Sequence, residues 1–256
     1  MKVDVEYRGP NGNTPLHRTI PGHHTQSAAL LIKHGADVDA QGAHNATPLM
    51  LCAQHGDHET AGMLLEDGAH TEMKNSLGET ALLIASRDRQ WLVVKHLLAN
   101  RANVQVADDR GWTALILAAD RGHVFIVEEL LSFNPELEAK TREGWTALMR
   151  ASDNGHDVVV DMLLKQRAHA QAETDHGWTA LMVAAGKGHE KVVRILLQHE
   201  PGINKAGKNG GNTALMWAAM NGHMPVFDLI IEQGADQRMR NKSGLTAADM
   251  VKQRGN

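Results

Sequence analysis

The sequence predicts an all-α solenoid of seven full helix–turn–helix repeats and a C-terminal half repeat, and three periodic observations predict it. A Thr followed by Pro or Ala recurs at Thr14, Thr47, Thr80, Thr113, Thr146, Thr179, Thr213 and Thr246, in steps of 33 residues with one step of 34. A Gly stands two residues before most of them: Gly12, Gly78, Gly111, Gly144, Gly177, Gly211 and Gly244. Paired aliphatics follow seventeen and eighteen residues later, from Leu31-Ile32 and Leu64-Leu65 to Ile230-Ile231. Self-similarity at a period of roughly 20–50 residues is the signature of a stacked array.

Each marker has a physical reading. The Thr hydroxyl caps a helix by accepting from an otherwise unpaired amide. Pro15 and Pro48 sit just inside the helix start, where a missing N–H costs little. The first helix is rich in small residues (Ala118-Ala119, Ala184-Ala185, Ala218-Ala219), so neighbouring helices can approach closely. A mid-repeat Gly-His pair (Gly122-His123, Gly155-His156, Gly188-His189, Gly222-His223) ends that helix at positive φ. A second helix follows, as at His123 to about Ser132, with Ile126, Val127, Leu130 and Leu131 at helical spacing. Gly-Ala-Asp then stops it, at Gly35-Ala36-Asp37 and Gly234-Ala235-Asp236, and leads into a polar β-hairpin loop. The repeats run at about 12–44, 45–77, 78–110, 111–143, 144–176, 177–210, 211–243 and a partial 244–256, all within one array spanning 1–256.

Composition narrows the function classes. Hydrophobic residues are 42% and aromatics only 4%, which suits thin Leu/Ala/Val layers better than one large globular core. A net charge of −4 supplies no global field for nucleic acid or an anionic membrane. No apolar run approaches the roughly 20 residues of a membrane span. The N-terminal stretch has no signal-peptide pattern, and the one cysteine, Cys52, suits a reducing compartment, so a cytoplasmic location is expected. The sequons at Asn45 and Asn241 then read as chance matches.

Thr14-Pro15-Leu16-His17 reproduces the hallmark tetrapeptide of the ankyrin repeat, and Gly35-Ala36-Asp37-Val38-Asp39-Ala40 reproduces its loop. The chain resembles that family over nearly its whole length, and the resemblance implies a non-catalytic module that binds a protein. Departures are informative. Arg89 replaces the mid-repeat Gly of the third repeat, and a non-Gly residue at positive φ costs about 1 kcal/mol, so that turn should be altered or weak. The first repeat has its Gly one position early, at Gly22. The tetrapeptide His becomes Met50, Leu83, Ile116, Met149, Met182 and Met216, exchanging a polar link for apolar packing. The extra residue falls within Gly207–Gly211, which predicts a longer hairpin tip. Thr246 to Asn256 supplies one helix, either a half-repeat cap or the point where a longer array is cut.

The resemblance also implies where a partner sits: on the hairpin tips and the exposed side of the first helices, which form a concave face. Trp112, Trp145 and Trp178 precede the marker Thr in three consecutive repeats, and Trp217 lies one layer on, four residues after Thr213. At an interhelical spacing of about 8–10 Å the first three make a ladder, and tryptophan is the residue most enriched at binding hot spots. The competing reading is that each Trp packs on its own hairpin. Around the ladder, Asp109, Arg110, Asp120, Arg121, Arg142, Arg150, Asp153, His176 and Lys187 are varied polar positions, expected to set specificity as a patch. Asn204 matches the loop asparagine that hydroxylases modify in some ankyrin proteins.

No cofactor, metal or catalytic group is expected. His24, His123, His156, His189 and His223 are spaced a layer apart, too far to share a zinc ion at about 2.0–2.1 Å. Gly186-Lys187-Gly188-His189 lacks the frame of a phosphate loop, and Cys52 fills a small-residue slot and should be buried. The reading is a monomeric protein-interaction module. The alternatives are the targeting arm of a larger enzyme or effector, a substrate modified at Asn204, and a scaffold without a dedicated partner.

Overall fold

A helix needs its first amides satisfied and its last carbonyls released, and the repeated Thr and Gly do both. Thr47, Thr113, Thr146, Thr179 and Thr213 each accept the backbone N–H three residues on, at 3.3–3.4 Å. Gly56, Gly122, Gly155, Gly188 and Gly222 take φ between 67° and 78° at the mid-repeat turn. The computed structural model describes residues 4–199 and 201–254. Glu200 in the sixth repeat and the chain ends, with Gly255 and Asn256 of the terminal half repeat, lie outside the described residues.

Helices follow in pairs: α1 (Pro15–Thr19) with α2 (Thr25–Lys33), α3 (Pro48–His55) with α4 (His58–Glu66), and α5 (Ala81–Arg87) with α6 (Trp91–Ala99). Then come α7 (Ala114–Asp120) and α8 (Val124–Leu131), α9 (Ala147–Asp153) and α10 (Asp157–Lys165), α11 (Ala180–Lys187) and α12 (Glu190–Leu197), and α13 (Ala214–Asn221) and α14 (Met224–Glu232). A single α15 (Ala247–Arg254) ends the series. The fold is all-α, as expected. The hairpin loops, expected as β-hairpins, hold no strand among the described residues; their β character is one isolated bridge, Ala107 to Thr113. The loops are too short to extend a ladder, because Gly at the tip turns the chain back within four residues: the amides of Asn75, Asp108, Thr141 and Thr174 donate to the carbonyls of Glu79, Trp112, Trp145 and Trp178.

The chain divides into two units, Met1–Ala118 with Phe125–Pro135, and Ala119–Val124 with Glu136–Asn256. In the first, α3 packs on α5 and α4 on α6; in the second, α9, α11, α13 and α15 pack in succession, with α10, α12 and α14 beside them. Ala53 and Ala85, and Ala151, Ala184, Ala185, Ala218 and Ala219, are wholly buried where first helices meet. The aliphatic pairs seal each repeat: Leu64, Leu97, Leu163, Leu196 and Ile230 have no exposed surface. Cys52 is buried, which pushes its thiol well above its ordinary pKa.

The departures resolve physically. Arg89 adopts φ 63° and His23 φ 50°, so both non-Gly residues accept the left-handed turn rather than abolish it. The tip of the sixth repeat is longer: Gly207 donates to the Asn212 carbonyl across five residues, and Gly210 and Gly211 both take positive φ. His17 shows what the later repeats gave up. Its Nδ1 faces the Thr14 hydroxyl at 2.8 Å and its Nε2 reaches the Ala46 carbonyl at 3.0 Å in the next repeat. Met50 and Met216 keep only a weak sulfur acceptor, 3.5 Å from the Thr47 and Thr213 amides.

Candidate partner-binding surface

The loop that ends each repeat fixes the residue before the next cap. In the second unit buried Thr141 and Thr174 turn their hydroxyls onto the amides of Trp145 and Trp178, at 3.2 and 3.1 Å. Both indoles are thereby held half-buried beside their helices. The Trp145 and Trp178 rings meet edge to face at 6.2 Å, and Trp178 meets Trp217 in the same manner at 5.7 Å. Such aromatic contacts contribute about 0.5–1.5 kcal/mol beyond area burial. Three of the four expected tryptophans therefore form one chain.

Trp112 belongs to the first unit. Its amide donates to Asp108 Oδ1 at 2.9 Å, and Arg110 bridges the buried Asp108 at 3.0 Å while its guanidinium lies 5.9 Å from the indole centroid. Asp109 packs against Gly78, where an added Cβ would meet its carboxylate.

The expected polar positions of the second unit form pairs one repeat apart. Arg150 lies 4.6 Å from the Trp145 ring and 3.8 Å from Asp120, and Lys187 lies 3.8 Å from Asp153. His176 sits 6.2 Å from the Trp178 ring, with Nδ1 3.0 Å from the Asn209 amide nitrogen. Arg121 and Arg142 are exposed. Between Trp178 and Trp217 opens a concavity of about 120 Å³, walled also by Met182 and Val183, with Asp153 and Lys187 among the residues that line it. Gly186 is among its lining residues too; a Cβ there would meet only ordinary contacts, 3.5 Å from Asn221 and 3.7 Å from Trp217.

The regular histidines tie layers together. Nε2 of His156, His189 and His223 bonds the carbonyls of Asp120, Asp153 and Gly186 in the preceding repeat, at 2.9–3.1 Å. Among the described residues no three His, Cys, Asp or Glu side chains converge on a metal position. Asn204 is exposed, and its Oδ1 accepts the Asp236 amide at 2.8 Å.

Several features escaped the sequence reading. Glu79 occupies the position of the tryptophans in the third repeat and is buried, bonded to Arg87 and to Asn75 Nδ2 at 3.0 Å. It borders a wider depression that also includes Met50 and Ile84. On the second helices, exposed Trp91 and Phe125 lie 6.3 Å apart, with Lys95 Nζ 5.7 Å from the indole. Their signal was an apolar residue just ahead of each buried pair, Trp91 two positions before Val93-Val94 and Phe125 one before Ile126-Val127, where an outward polar residue is expected.

No helix among the described residues is long and apolar enough to cross a membrane. A comparison with curated proteins finds no match. The family model for ankyrin repeats in three copies matches residues 1–75, 43–108, 82–174 and 159–241. With the capped helix pairs at that period and this coverage, the chain belongs to the ankyrin-repeat family.

Proposed function

We propose that the chain is a non-catalytic module that binds a partner protein through the tryptophan-lined surface of its second unit. Ankyrin repeats are generally protein–protein interaction modules. The observation that carries the reading to this surface is the half-buried edge-to-face chain Trp145–Trp178–Trp217, whose last two members wall a concavity of side-chain size. Rigid aromatic anchors in a partly desolvated hollow are where binding energy concentrates. Arg150, Asp153, His176 and Lys187 surround the anchors and would set specificity. Asp120, Arg121 and Arg142 belong to the same patch, and Trp112, Asp109 and Arg110 form a second contact region on the first unit. A buried free thiol at Cys52 supports placing the module, as a monomer, in a reducing compartment.

The test is capture from a native lysate, comparing the chain with a Trp145/Trp178/Trp217→Ser variant whose helicity is unchanged by circular dichroism. The expected outcome is a specific partner retained by the first and reduced at least about tenfold by the second. Equal capture by both would place binding elsewhere and make the tryptophans structural. Asn204 is proposed as a hydroxylation site because its side chain is exposed and, among the described residues, is held through Oδ1 by the Asp236 amide. Intact mass from native cells, with or without one added oxygen, decides it.

A further inference from the structure

Resting on that reading, we infer that the partner presents an acidic linear segment, one bulky apolar side chain of which enters the Trp178/Trp217 hollow while its carboxylates meet the last two hairpin tips. The hollow asks for an apolar anchor. Its walls are Trp178, Met182, Val183 and Trp217, and its volume of about 120 Å³ accommodates one side chain rather than a folded surface.

The tips ask for negative charge. From Pro201 onward the chain carries seven Lys or Arg against four Asp or Glu, although the whole chain is at −4. Five of those cations (Lys205, Lys208, Arg238, Arg240 and Lys242) lie on the two hairpin loops at 204–212 and 236–245, whose one acid is Asp236.

What holds these cations leaves their charge unbalanced. Lys205 and Lys208 share a single carboxylate, Glu173, at 2.6 and 3.5 Å. Arg240 donates to the Gly244 carbonyl at 2.6 Å and Lys242 to the Lys208 carbonyl at 2.7 Å, neutral acceptors in both cases. The other nearby acids are exposed Asp175 on the preceding tip and Asp249, which feels the Arg240 charge but is itself bonded to Thr246.

Hollow and tips are contiguous. The Lys208 amide donates to the His176 carbonyl at 3.1 Å, His176 lies beside Trp178, and the Lys242 amide donates to the Gly210 carbonyl at 2.9 Å. Lys187, more than half exposed on the hollow's lining and 3.8 Å from Asp153, adds a cation beside the anchor. A nucleic acid would meet the same lysines. It is disfavoured by the overall negative charge and by a hollow sized for one side chain, where strand binding uses extended stacking faces.

Gly186 makes a clean test possible. It lies in α11 without positive φ, so Gly186→Leu fills the hollow with no backbone strain while the carbonyl that accepts His223 is kept. A displayed library of random dodecapeptides is panned on the full chain, and the enriched sequences are measured by fluorescence anisotropy against three proteins: native, Gly186→Leu and Lys208→Glu/Lys242→Glu. The expected result is enrichment of a Leu-, Phe- or Trp-centred motif flanked by Asp or Glu. Affinity should fall at least about tenfold in each variant, the size expected for a hot spot or a cluster of charge contacts, and it should fall further with added salt.

Enrichment without acidic bias, acidic peptides indifferent to the charge variant, or no enrichment at all would each overturn the inference. So would a single-stranded oligonucleotide that binds the native chain and competes with the selected peptides. If lysate capture still depends on the tryptophans in those cases, the protein-binding reading stands and only the acidic segment fails.

Discussion

At Gly188 one backbone angle and one neighbour decide what the position can hold. Its φ is +76°, and an added Cβ would come within 2.5 Å of His223 Nδ1 in the next repeat. Gly188→Ala therefore combines left-handed strain of about 1 kcal/mol with loss of a hydrogen bond of about 1 kcal/mol. The expected cost is about 2 kcal/mol in chemical denaturation; a neutral result would mean the ring moves aside freely. Arg89 is the converse. It holds φ 63° exposed and without glycine's freedom, so Arg89→Gly should stabilise by about 0.5 kcal/mol, the strain relieved less the added chain entropy. A lower midpoint would show that the arginine side chain matters more than its backbone. His17 carries a pH term. Burial first, and the Arg8 charge after it, hold its pKa below the ordinary 6.5, although the Ala46 carbonyl opposes them. A depressed histidine must shed its proton to fold, so its stabilising contribution is complete above pH 6.5 and is lost as pH falls toward the folded value. The native chain should lose stability relative to His17→Leu as pH falls below about 6.5, since Leu83 fills the equivalent site uncharged. Parallel curves for the two proteins would refute it.

At the scale of elements, the devices that join repeats divide into those visible at a fixed phase and those that need the stack. The caps, the left-handed turns and the extra residue of the sixth tip were legible because each is local: a Thr, a Gly, one added position. The role of the mid-repeat histidine was not, since its Nε2 partner lies about 36 residues back. A second device was hidden by its varied chemistry. Glu6, Asp39, Glu72, Glu138 and Asn204 each accept a backbone amide 31 or 32 residues on, at 2.8 Å. Two carboxylate types and an amide serve one acceptor role, so residue identity conceals what the phase would have shown. The tryptophans were legible as a repeated position, yet their edge-to-face order came from the Thr141 and Thr174 hydroxyls that set the loops. His189→Ala removes the bond to the Asp153 carbonyl and the ring that covers Gly155, and should cost about 1–2 kcal/mol. A loss below about 0.3 kcal/mol would make the ring a passive filler, its bond fully replaced by water.

Summed over the molecule, these local terms predict where it opens. Stability in an array is a sum of repeat terms and nearest-neighbour interface terms, and the two units are not equally supplied. In the second, His156, His189 and His223 bond the repeat before, and glycine holds the mid-repeat turns at Gly155, Gly188 and Gly222. In the first, Asp57 and Gln90 stand at the histidine position, Arg89 strains the turn, and Asp57 Oδ2 is buried without a hydrogen-bond partner among the described residues. A buried oxygen without a partner costs about 1–3 kcal/mol. Opening should therefore begin around α5 and α6. In native-state hydrogen–deuterium exchange read by mass spectrometry, peptides from Ala81–Ala99 should exchange before those from Ala180–Leu197, and Arg89→Gly should slow the former while leaving the latter unchanged. Uniform exchange across both regions would mean that the repeats open together, and the local terms would then have no bearing on where the chain first gives way.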